Sequence, residues 1–255
     1  MRVVFMGKHK RSAARALDFL VAQGADVAAV VAPEPDARSA ETQRLDLVAQ
    51  RHGLALVSAD ELYERPPEDV DLVISFLFWR LIREPLISLA RVGCLNFHPA
   101  PLPDYRGLGG YNVAILDGLR EWGVSCHFVD EGFDTGDLVA VERFAIDEHG
   151  ETALSLDLKS QQQLLSLFER VMQSALRGEE LPRTPQGEGR YVTREEFEAL
   201  RLVRPGDDLE RKLRAFWYPP HPGAEVELDG KRLTLVDDSL LAEMAKVYRD
   251  AGRIA

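Results

Sequence analysis

Residues 1–31 read MRVVFMGKHKRSAARALDFLVAQGADVAAVV, and the period of their hydrophobic pattern changes twice. The short apolar runs Arg2–Met6 and Asp26–Val31 are typical of buried strands. The apolar residues between them recur at helical spacing: Ala13, Ala16, Leu17, Leu20 and Val21. Ser12 is placed to cap this helix at its start, and Gly24 is placed to end it. The stretch therefore predicts a strand, a helix and a second strand parallel to the first.

The same alternation of short apolar runs and amphipathic stretches continues through the first half of the chain. Four further runs have the length and composition of strands: Asp71–Phe76, Gly93–Phe97, Gly123–Val129 and Leu138–Ala145. Residues 152–176 form the longest helix candidate, and we expect the apolar stripe of this helix to pack across the sheet. The pattern predicts an α/β fold with a mainly parallel sheet and helices on both of its faces.

The pattern changes after residue 178. Glu179–Arg190 is rich in Pro, Gly and charged residues, a composition that predicts a linker or an exposed loop. Further along, two capping boxes predict the starts of short helices, one formed by Thr193 and Glu196 and the other by Asp207 and Glu210. The core is therefore expected to end before this region.

The last residues predict a hairpin and one more helix. Ala224–Leu228 and Arg232–Val236 flank the pair Asp229-Gly230, which is typical of a tight hairpin turn. An amphipathic helix is expected over residues 239–248. We therefore predict a core domain over residues 1–180 and a small α+β subdomain over residues 190–255.

The 255 residues include 31 Lys and Arg against 42 Asp and Glu, which gives a net charge of −11 (31 − 42). Because an acidic chain lacks the broad basic face that binds many phosphates, tRNA or DNA is not expected as the main partner. No apolar run approaches the roughly 18 residues of a membrane span, and no signal peptide is visible. We therefore expect a cytoplasmic protein without a membrane partner. Cys94 and Cys126 are predicted to be buried thiols that hold no metal.

The densest cluster of polar and aromatic residues is LNFHPAPLPDYRG, residues 95–107. Asn96 and His98 are two apart at the end of an apolar run, so both side chains should emerge on one face of a strand. An amide beside an imidazole at the carboxyl edge of a sheet can stabilise an oxyanion and move a proton. The alternative is that both side chains only bind the backbone at the end of the strand.

A second cluster is DEGFDTGD, residues 130–137, directly after another predicted strand. It places four carboxylates and two glycines in a tight loop. One carboxylate could hold the imidazole of His98 in one tautomer and favour its charged form. A calcium loop is an alternative, but the spacing does not match an EF-hand, and a solvated turn is another.

Together the two clusters resemble the formyltransferase family that uses 10-formyltetrahydrofolate. The residues that match its motifs are Asn96, His98, Pro99, Leu102, Pro103, Tyr105, Arg106, Gly107, Asp130, Gly132, Asp134, Thr135, Gly136 and Asp137. The resemblance extends over about residues 2–178 and departs at Ala100-Pro101, where many members have Ser-Leu. It implies a Rossmann-like core and 10-formyltetrahydrofolate as the formyl donor. It also implies a catalytic trio of Asn96, His98 and Asp134.

The resemblance also assigns residues to ligand pockets. The segment SFLFWRLI, residues 75–82, looks like the family segment that holds the pterin ring. The implied folate-binding residues are Phe78, Trp79, Arg80, Leu81, Ile82, Asp130 and Gly132. The implied acceptor-binding residues in the first cluster are Pro99, Tyr105, Arg106 and Gly107. From the residues alone, an apolar run after a strand indicates core, and Trp79 could equally be a packing residue.

The loop GKHKRS, residues 7–12, lies between the first strand and the first helix. Backbone amides and a helix N-terminus favour an anion there, so we predict that its basic residues bind substrate phosphate: Lys8, His9, Lys10 and Arg11. The loop matches neither GxGxxG nor the P-loop pattern. A solvated basic turn is the alternative.

Members of the formyltransferase family differ in the amine they formylate. The length of the chain and its acidic charge favour a nucleotide-linked amino sugar, as in the synthesis of surface polysaccharides. Residues 191–197 and 213–224 also look similar to the C-terminal part of sugar N-formyltransferases. Trp217 and Tyr218 could stack on the ligand there or anchor the subdomain.

Several alternatives to this function stay open. The acceptor could be methionyl-tRNA, an amino acid derivative or glycinamide ribonucleotide. The chain could instead hydrolyse formyltetrahydrofolate, or bind a folate or a nucleotide without catalysis. A homodimer is compatible with the sequence, which does not locate an interface.

Overall fold

The computed structural model describes residues 1–34 and 43–250. The strands in chain order are β1 (Arg2–Gly7), β2 (Asp26–Val31), β3 (Leu56–Val57), β4 (Leu72–Phe76), β5 (Gly93–His98), β6 (Tyr105–Gly107), β7 (Glu121–Phe128), β8 (Leu138–Ala145), β9 (Arg190–Val192), β10 (Glu225–Leu228) and β11 (Lys231–Thr234). The helices are α1 (Arg11–Ala22), α2 (Leu45–Arg51), α3 (Ala59–Glu64), α4 (Gly110–Leu116), α5 (Ala153–Leu176), α6 (Arg194–Arg201), α7 (Leu209–Ala215) and α8 (Asp238–Asp250). None of the helices in these ranges has both the length and the apolar character needed to cross a membrane.

The main sheet has seven strands in the order β3-β2-β1-β4-β5-β7-β8. β1 pairs in parallel with β2 and β4, β2 with β3, and β4 with β5, whereas β7 runs antiparallel to β5. The predicted α/β fold with a mainly parallel sheet is confirmed. Because parallel strands end at the same edge, the segments after β1, β4 and β5 emerge together, and this edge is where open α/β sheets hold their ligands.

Both faces of the sheet are covered by apolar side chains. Val3 and Phe5 of β1 belong to one buried cluster, which also contains residues of α1, α2 and α5. Val4 and Met6 point the other way, into a second cluster with residues of α3. This alternation is what a strand buried on both faces requires, and it explains why β1 reads as a continuous apolar run.

Helix α5 packs across the sheet as predicted, and Phe168 is its main contact. The ring centroid of Phe168 lies 6.3 Å from that of Phe5, 5.4 Å from that of Phe76 and 4.9 Å from that of Phe97. These three partners belong to the adjacent strands β1, β4 and β5. Phe168 therefore ties the helix to the strands whose ends carry the polar motifs.

We expect Phe168→Ala to lower the free energy of unfolding by about 3–5 kcal/mol, because it removes a fully buried ring and leaves a cavity. Urea denaturation followed by circular dichroism measures this change. Leu158→Ala in the same helix is the matched control, because the Leu158 side chain is 55% exposed. The control should change stability by less than about 1 kcal/mol. Equal losses in the two variants would contradict the packing role of Phe168.

The chain divides into two compact units. The first unit consists of residues 1–106, 123–144 and 159–190, and the second of residues 107–122, 145–158 and 191–255. The predicted domain bounds, 1–180 and 190–255, stay a prediction.

Within the second unit, backbone carbonyls accept hydrogen bonds from long side chains. Asn112 Nδ2 donates to the carbonyl of Ala215 over 2.7 Å, and Arg214 Nη1 donates to the carbonyl of Glu151 over 2.9 Å. The Tyr218 hydroxyl donates to Asp157, and the ring of Trp217 is buried. For these two aromatic residues, the structure favours the anchoring alternative over ligand stacking.

Two of the predicted helix starts are wrong. Ser12 does not cap α1, because the helix already begins at Arg11 and the Ser12 hydroxyl donates instead to Gln161 Oε1 over 3.0 Å. Helix α7 is capped by Asp208, which accepts from the backbone N–H of Arg211 over 3.0 Å, rather than by the residue before it. The Asp207 carboxylate instead accepts a hydrogen bond from Lys212 Nζ.

Two other local predictions agree with the structure at least in part. At the start of α6, the Thr193 half of the predicted capping box forms, since the Thr193 side chain accepts from the backbone N–H of Glu196 over 3.1 Å. The hairpin forms from β10 and β11, with positive φ at Asp229 (49°) and Gly230 (70°). Two successive left-handed residues are the geometry of a type I′ turn, which Asp-Gly favours.

Candidate active site

A row of polar side chains runs across three neighbouring strands at the centre of the sheet. Ser75 of β4 pairs in register with Asn96 of β5, and Asn96 pairs with His127 of β7. Because side chains alternate along a strand, His98 lies on the same face as Asn96. The pairing of the three strands therefore places residues that are far apart in the sequence side by side on the sheet.

Hydrogen bonds hold the Asn96 amide at both of its ends. The Ser75 hydroxyl donates to Asn96 Oδ1 over 2.7 Å, and Asn96 Nδ2 lies 3.0 Å from His127 Nε2. His127 Nδ1 is 2.7 Å from the carbonyl oxygen of Phe128, which can only accept, so Nδ1 carries the ring proton. In the neutral ring, Nε2 then accepts one N–H of the Asn96 amide, and the other N–H of that amide is directed at Asp134 Oδ1, 3.3 Å away.

Asp134 lies against this row. Its Oδ1 atom is 3.3 Å from Asn96 Nδ2, 3.6 Å from His98 Nδ1 and 3.6 Å from His127 Nε2. The side chains of His98 and Asp134 are 14% and 17% exposed. The structure thus brings together the three residues predicted as a catalytic trio, in a nearly dry setting where charges and hydrogen bonds act strongly.

The loop that carries Asp134 is tightly constrained. Asp134 has φ 54°, in the left-handed region that residues with a Cβ rarely adopt. A Cβ on Gly136 would lie 2.0 Å from the carbonyl oxygen of Phe128, so only glycine fits there. Asp130 Oδ1 accepts from the Gly132 backbone N–H over 3.0 Å and from the Thr135 hydroxyl over 2.7 Å. The carboxylate of Asp130 therefore shapes the turn that presents the carboxylate of Asp134.

Burial is the main influence on the charge of His98. Burial lowers the pKa of His98, the Asp134 carboxylate opposes this, and His127 adds to the lowering. A backbone hydrogen bond with Tyr105 also opposes the lowering of this pKa. The neutral imidazole is therefore the resting form at neutral pH. This differs from the charged form that the acidic loop favours in the sequence, because the sequence does not show how deeply the ring is buried.

Comparison with known proteins identifies the chemistry that this arrangement serves. The profile of the family described as Formyl transferase matches residues 1–172. The chain belongs to this family. The predicted formyltransferase with a Rossmann-like core is thus confirmed. The predicted donor, 10-formyltetrahydrofolate, agrees with the folinic acid and tetrahydrofolic acid held by solved structures that share the fold.

Relatives of this formyltransferase act on different amines. A methionyl-tRNA formyltransferase of Lachnospira eligens is 30% identical over 264 residues, covering 98% of this chain and 82% of that protein. A GDP-perosamine N-formyltransferase of Brucella melitensis is 34% identical over 181 residues, covering 69% of each chain.

Solved structures share the fold at low identity. The N-formyltransferase from Helicobacter canadensis, in complex with folinic acid and dTDP-3-aminofucose, has a TM-score of 0.73 at 19% identity, covering 91% of this chain and 86% of that one. A 4-N formyltransferase from Francisella tularensis has a TM-score of 0.75 at 18% identity, covering 92% of this chain and 96% of that one. At this level of identity the likeness establishes the fold alone.

The predicted folate segment of the formyltransferase follows β4 at the carboxyl edge of the sheet. Phe78 and Trp79 form an aromatic pair with ring centroids 4.6 Å apart, and Trp79 is 41% exposed. Such a surface fits a flat pterin ring. Arg80 pairs with Asp60 over 2.8 Å, and Leu81 is half-buried. Ile82 is buried in the second core cluster, so its side chain packs in the core and anchors this segment there.

The basic loop of the formyltransferase follows β1 at the same edge. His9 is held in place, because its Nδ1 atom accepts from the backbone N–H of Leu45 over 3.2 Å. Lys8 and Arg11 are exposed and Lys10 is half-buried. The structure therefore gives His9 a local anchoring contact, and phosphate binding by the loop stays a prediction.

Among the residues predicted to bind the acceptor, Arg106 is held by several hydrogen bonds. Its Nε atom donates to the carbonyl of Asp134 over 3.1 Å, and its Nη2 atom donates to Gln186 Oε1 over 2.8 Å. Pro99 and Tyr105 are half-buried beside the strand end. Gly107 has φ +81°, and a Cβ there would lie 2.5 Å from the carbonyl oxygen of Val192, so this glycine permits a close backbone approach.

Sequence reasoning missed Ser75, His127 and Gln186. Nothing local identifies the first two, because only strand register places them beside Asn96. Within residues 1–34 and 43–250, no group of three or more His, Cys, Asp or Glu side chains is arranged to hold a metal ion.

Proposed function

We propose that this formyltransferase formylates the amine of a nucleotide-linked amino sugar. The observation that carries this proposal is the net charge of −11. A protein that binds tRNA gains much of its affinity by neutralising phosphates with cations, and an acidic chain is poorly suited to that. The 34% identity to a GDP-perosamine N-formyltransferase supports the same acceptor class. The predicted cytoplasmic location and homodimer stay predictions.

Methionyl-tRNA is the second candidate acceptor. The methionyl-tRNA formyltransferase of Lachnospira eligens aligns over 98% of this chain, which is more than the GDP-perosamine enzyme covers. A tRNA acceptor would bind with a steep salt dependence, whereas a nucleotide sugar carries two phosphates and would depend on salt only weakly. The salt dependence of the acceptor KM therefore separates the two candidates.

The geometry supports a direct transfer between two bound substrates. The bound folate supplies the formyl carbon and a nitrogen leaving group. The neutral amine attacks that carbon, and the electron pair moves onto the formyl oxygen. During the transfer, the Asn96 N–H that the structure directs at Asp134 and an N–H of His98 donate to this oxyanion. Asp134 takes up the proton that the amine loses, through a water. The electron pair then returns from the oxygen, the bond between the formyl carbon and the folate nitrogen breaks, and that nitrogen receives the proton held by Asp134 through the water, so that a formamide and tetrahydrofolate result.

The Ser75 hydroxyl is expected to matter through Asn96. Ser75→Ala removes the donor that fixes Asn96 Oδ1, so the amide can rotate away from its productive orientation. We expect kcat to fall about fivefold, since one net hydrogen bond is worth about 1 kcal/mol, while both KM values stay within about twofold. Steady-state kinetics of tetrahydrofolate release measures this. Ser166→Ala, which alters an exposed hydroxyl, should have no effect, and an unchanged kcat in Ser75→Ala would contradict the role.

The proposed acceptor class is tested by tetrahydrofolate release from 10-formyltetrahydrofolate. The acceptors to compare are dTDP-, UDP- and GDP-linked amino sugars, glycinamide ribonucleotide and methionyl-tRNA, with His98→Ala as the inactive control. Release that requires one nucleotide sugar and is lost in the control supports the proposal. Release with methionyl-tRNA alone overturns it in favour of the second candidate, and release without any amine indicates a hydrolase.

A further inference from the structure

The segment between α5 and β9 has a role that its composition does not indicate. Residues 179–190 are rich in Pro, Gly and charge, and that composition predicts a linker or an exposed loop. In the structure, the segment passes beside the loop of residues 130–137. Gln186, which is half-buried, uses both ends of its side-chain amide there.

The contacts of Gln186 converge on the backbone around Asp134. Gln186 Nε2 donates to the carbonyl of Asp134 over 3.1 Å and to the carbonyl of Gly136 over 2.6 Å. Gln186 Oε1 accepts from Arg106 Nη2 over 2.8 Å, and Arg106 Nε donates to the same Asp134 carbonyl over 3.1 Å. The carbonyl of Asp134 thus accepts from two side chains, which are themselves hydrogen-bonded to each other.

Asp134 is the residue in this loop whose backbone most needs external support. Its φ of 54° is disfavoured for any residue with a Cβ. Such conformations persist when the surrounding structure determines them, and they often occur where function depends on a side-chain direction. If the backbone of Asp134 relaxed to a right-handed conformation, its carboxylate would turn away from His98 and Asn96.

The segment is anchored independently of Gln186. On one side, Thr184 and Leu138 exchange two backbone hydrogen bonds of 2.8 and 3.0 Å. On the other side, the backbone N–H of Arg190 donates to the carbonyl of Asp104 over 3.2 Å. The chain is therefore fixed on both sides of Gln186, and replacing this side chain should leave the course of the segment intact.

We infer that Gln186 is a positioning residue, which together with Arg106 holds the backbone of Asp134 in the left-handed conformation that directs its carboxylate at His98 and Asn96. This inference rests on the proposed role of Asp134 in the transfer. Gln186 itself lies against the backbone of the loop and contacts no reacting atom. Its contribution is the placement of Asp134.

The first test is kinetic. Gln186→Met keeps the length of the side chain and removes its three hydrogen bonds, and Gln186→Ala removes the side chain altogether. We expect kcat to fall about ten- to a hundredfold, as for other small misplacements of a catalytic group, while both KM values stay within about twofold. Gln173→Ala, at an exposed position of α5, is the matched control. An unchanged kcat in Gln186→Met together with an unchanged pKa of His98 would overturn the inference.

A double-mutant cycle distinguishes positioning from a general structural effect. If Gln186 acts through Asp134, then Gln186→Met in an Asp134→Asn background should lower kcat by less than about twofold further. A full additional loss in that background would mean that Gln186 supports something other than Asp134. Melting temperatures of all variants should match the wild type.

The last readout does not depend on activity, so it also separates this inference from the proposed function. The groups that face the His98 ring are Asp134, His127 and the backbone of Tyr105, and Asp134 raises the pKa of His98. If Gln186→Met lets Asp134 swing away, the pKa of His98 should fall further, as measured by NMR titration of the imidazole protons. An unchanged pKa would overturn the positioning of Asp134, whereas a lowered pKa with unchanged kcat would instead contradict the proposed role of Asp134.

Discussion

Asp134→Asn is expected to lower kcat at least about a hundredfold, with little change in the free energy of unfolding. Asn has the same shape and can still accept a hydrogen bond from Asn96 Nδ2, which lies 3.3 Å from the present carboxylate oxygen. It cannot take up a proton from the attacking amine, which is the role assigned to the Asp134 carboxylate. The loss should therefore fall on kcat rather than on the KM of either substrate.

The matched control for this prediction lies in the same loop. Glu131→Gln removes a carboxylate that is exposed, three residues before Asp134, and it should leave kcat within about twofold of the wild type. Tetrahydrofolate release at saturating concentrations of both substrates measures the two variants, and thermal unfolding confirms that both are folded. Near-wild-type turnover in Asp134→Asn, or an equal loss in Glu131→Gln, would contradict the assigned role.

The fold could be predicted from the sequence because its signals are local. The period of the apolar residues gives β2 with its observed bounds and β1 to within one residue, since β1 extends to Gly7. Helix α1 is present as predicted but begins at Arg11, two residues before the start that a cap at Ser12 implies. The turn at Asp229-Gly230 forms as predicted, since the requirement for positive φ is a property of the two residues themselves. Local chemistry of this kind needs no knowledge of distant contacts.

The predictions that went wrong depended on competition between neighbouring residues. Asp207 and Asp208 can each cap a helix, and the choice between them follows from Lys212, which binds Asp207 from the next turn. Ser12 could bind the backbone of its own helix, yet Gln161 of α5 offers a partner in the core. In both cases a tertiary contact decides what the short-range pattern leaves open.

The candidate site could be predicted only in part, for a similar reason. Asn96 and His98 share a face because they are two apart on one strand, and this follows from the sequence. Ser75 and His127 join them through the registers of β4 with β5 and of β5 with β7, which no local pattern specifies. Gln186 lies in a segment whose composition indicates a loop, and only the folded chain places it beside Asp134.

The acidic loop in the sequence favours a charged His98 ring, whereas burial in the structure favours a neutral one. Replacing His98 is the second change for which we expect a large loss of activity. His98→Ala is expected to lower kcat at least about a hundredfold, because it removes a donor to the developing oxyanion and a group that can transfer a proton. The exposed residue His149 provides the control, and His149→Ala should leave kcat within about twofold of the wild type. Wild-type turnover in His98→Ala would contradict the whole assignment of the site.

The pH dependence of kcat/KM in the wild type tests which charge state of His98 is the active one. Because burial lowers the pKa of His98 below its usual value of about 6.5, the neutral ring persists into mildly acid solution. We expect kcat/KM to stay constant from pH 8 down through about 6.5 and to decline only as the pH approaches the lowered pKa, where the ring gains its proton. A decline that begins above the usual pKa would show instead that His98 gains its proton more readily than burial implies, and a rise in kcat/KM on acidification would show that the charged ring is the working form.

The same shift in pKa also links His98 to stability. An imidazole whose pKa is lowered by folding binds fewer protons in the folded state than in the unfolded one, so stability rises with pH across the interval between the two values. The wild type should therefore lose stability as the pH falls from about 6.5 through the lowered pKa of His98. His98→Ala should lose less over the same interval, and His149→Ala should follow the wild type. Urea unfolding at pH 7 and at successively lower pH measures the difference, and parallel losses in wild type and His98→Ala would show that the ring is not held neutral by burial.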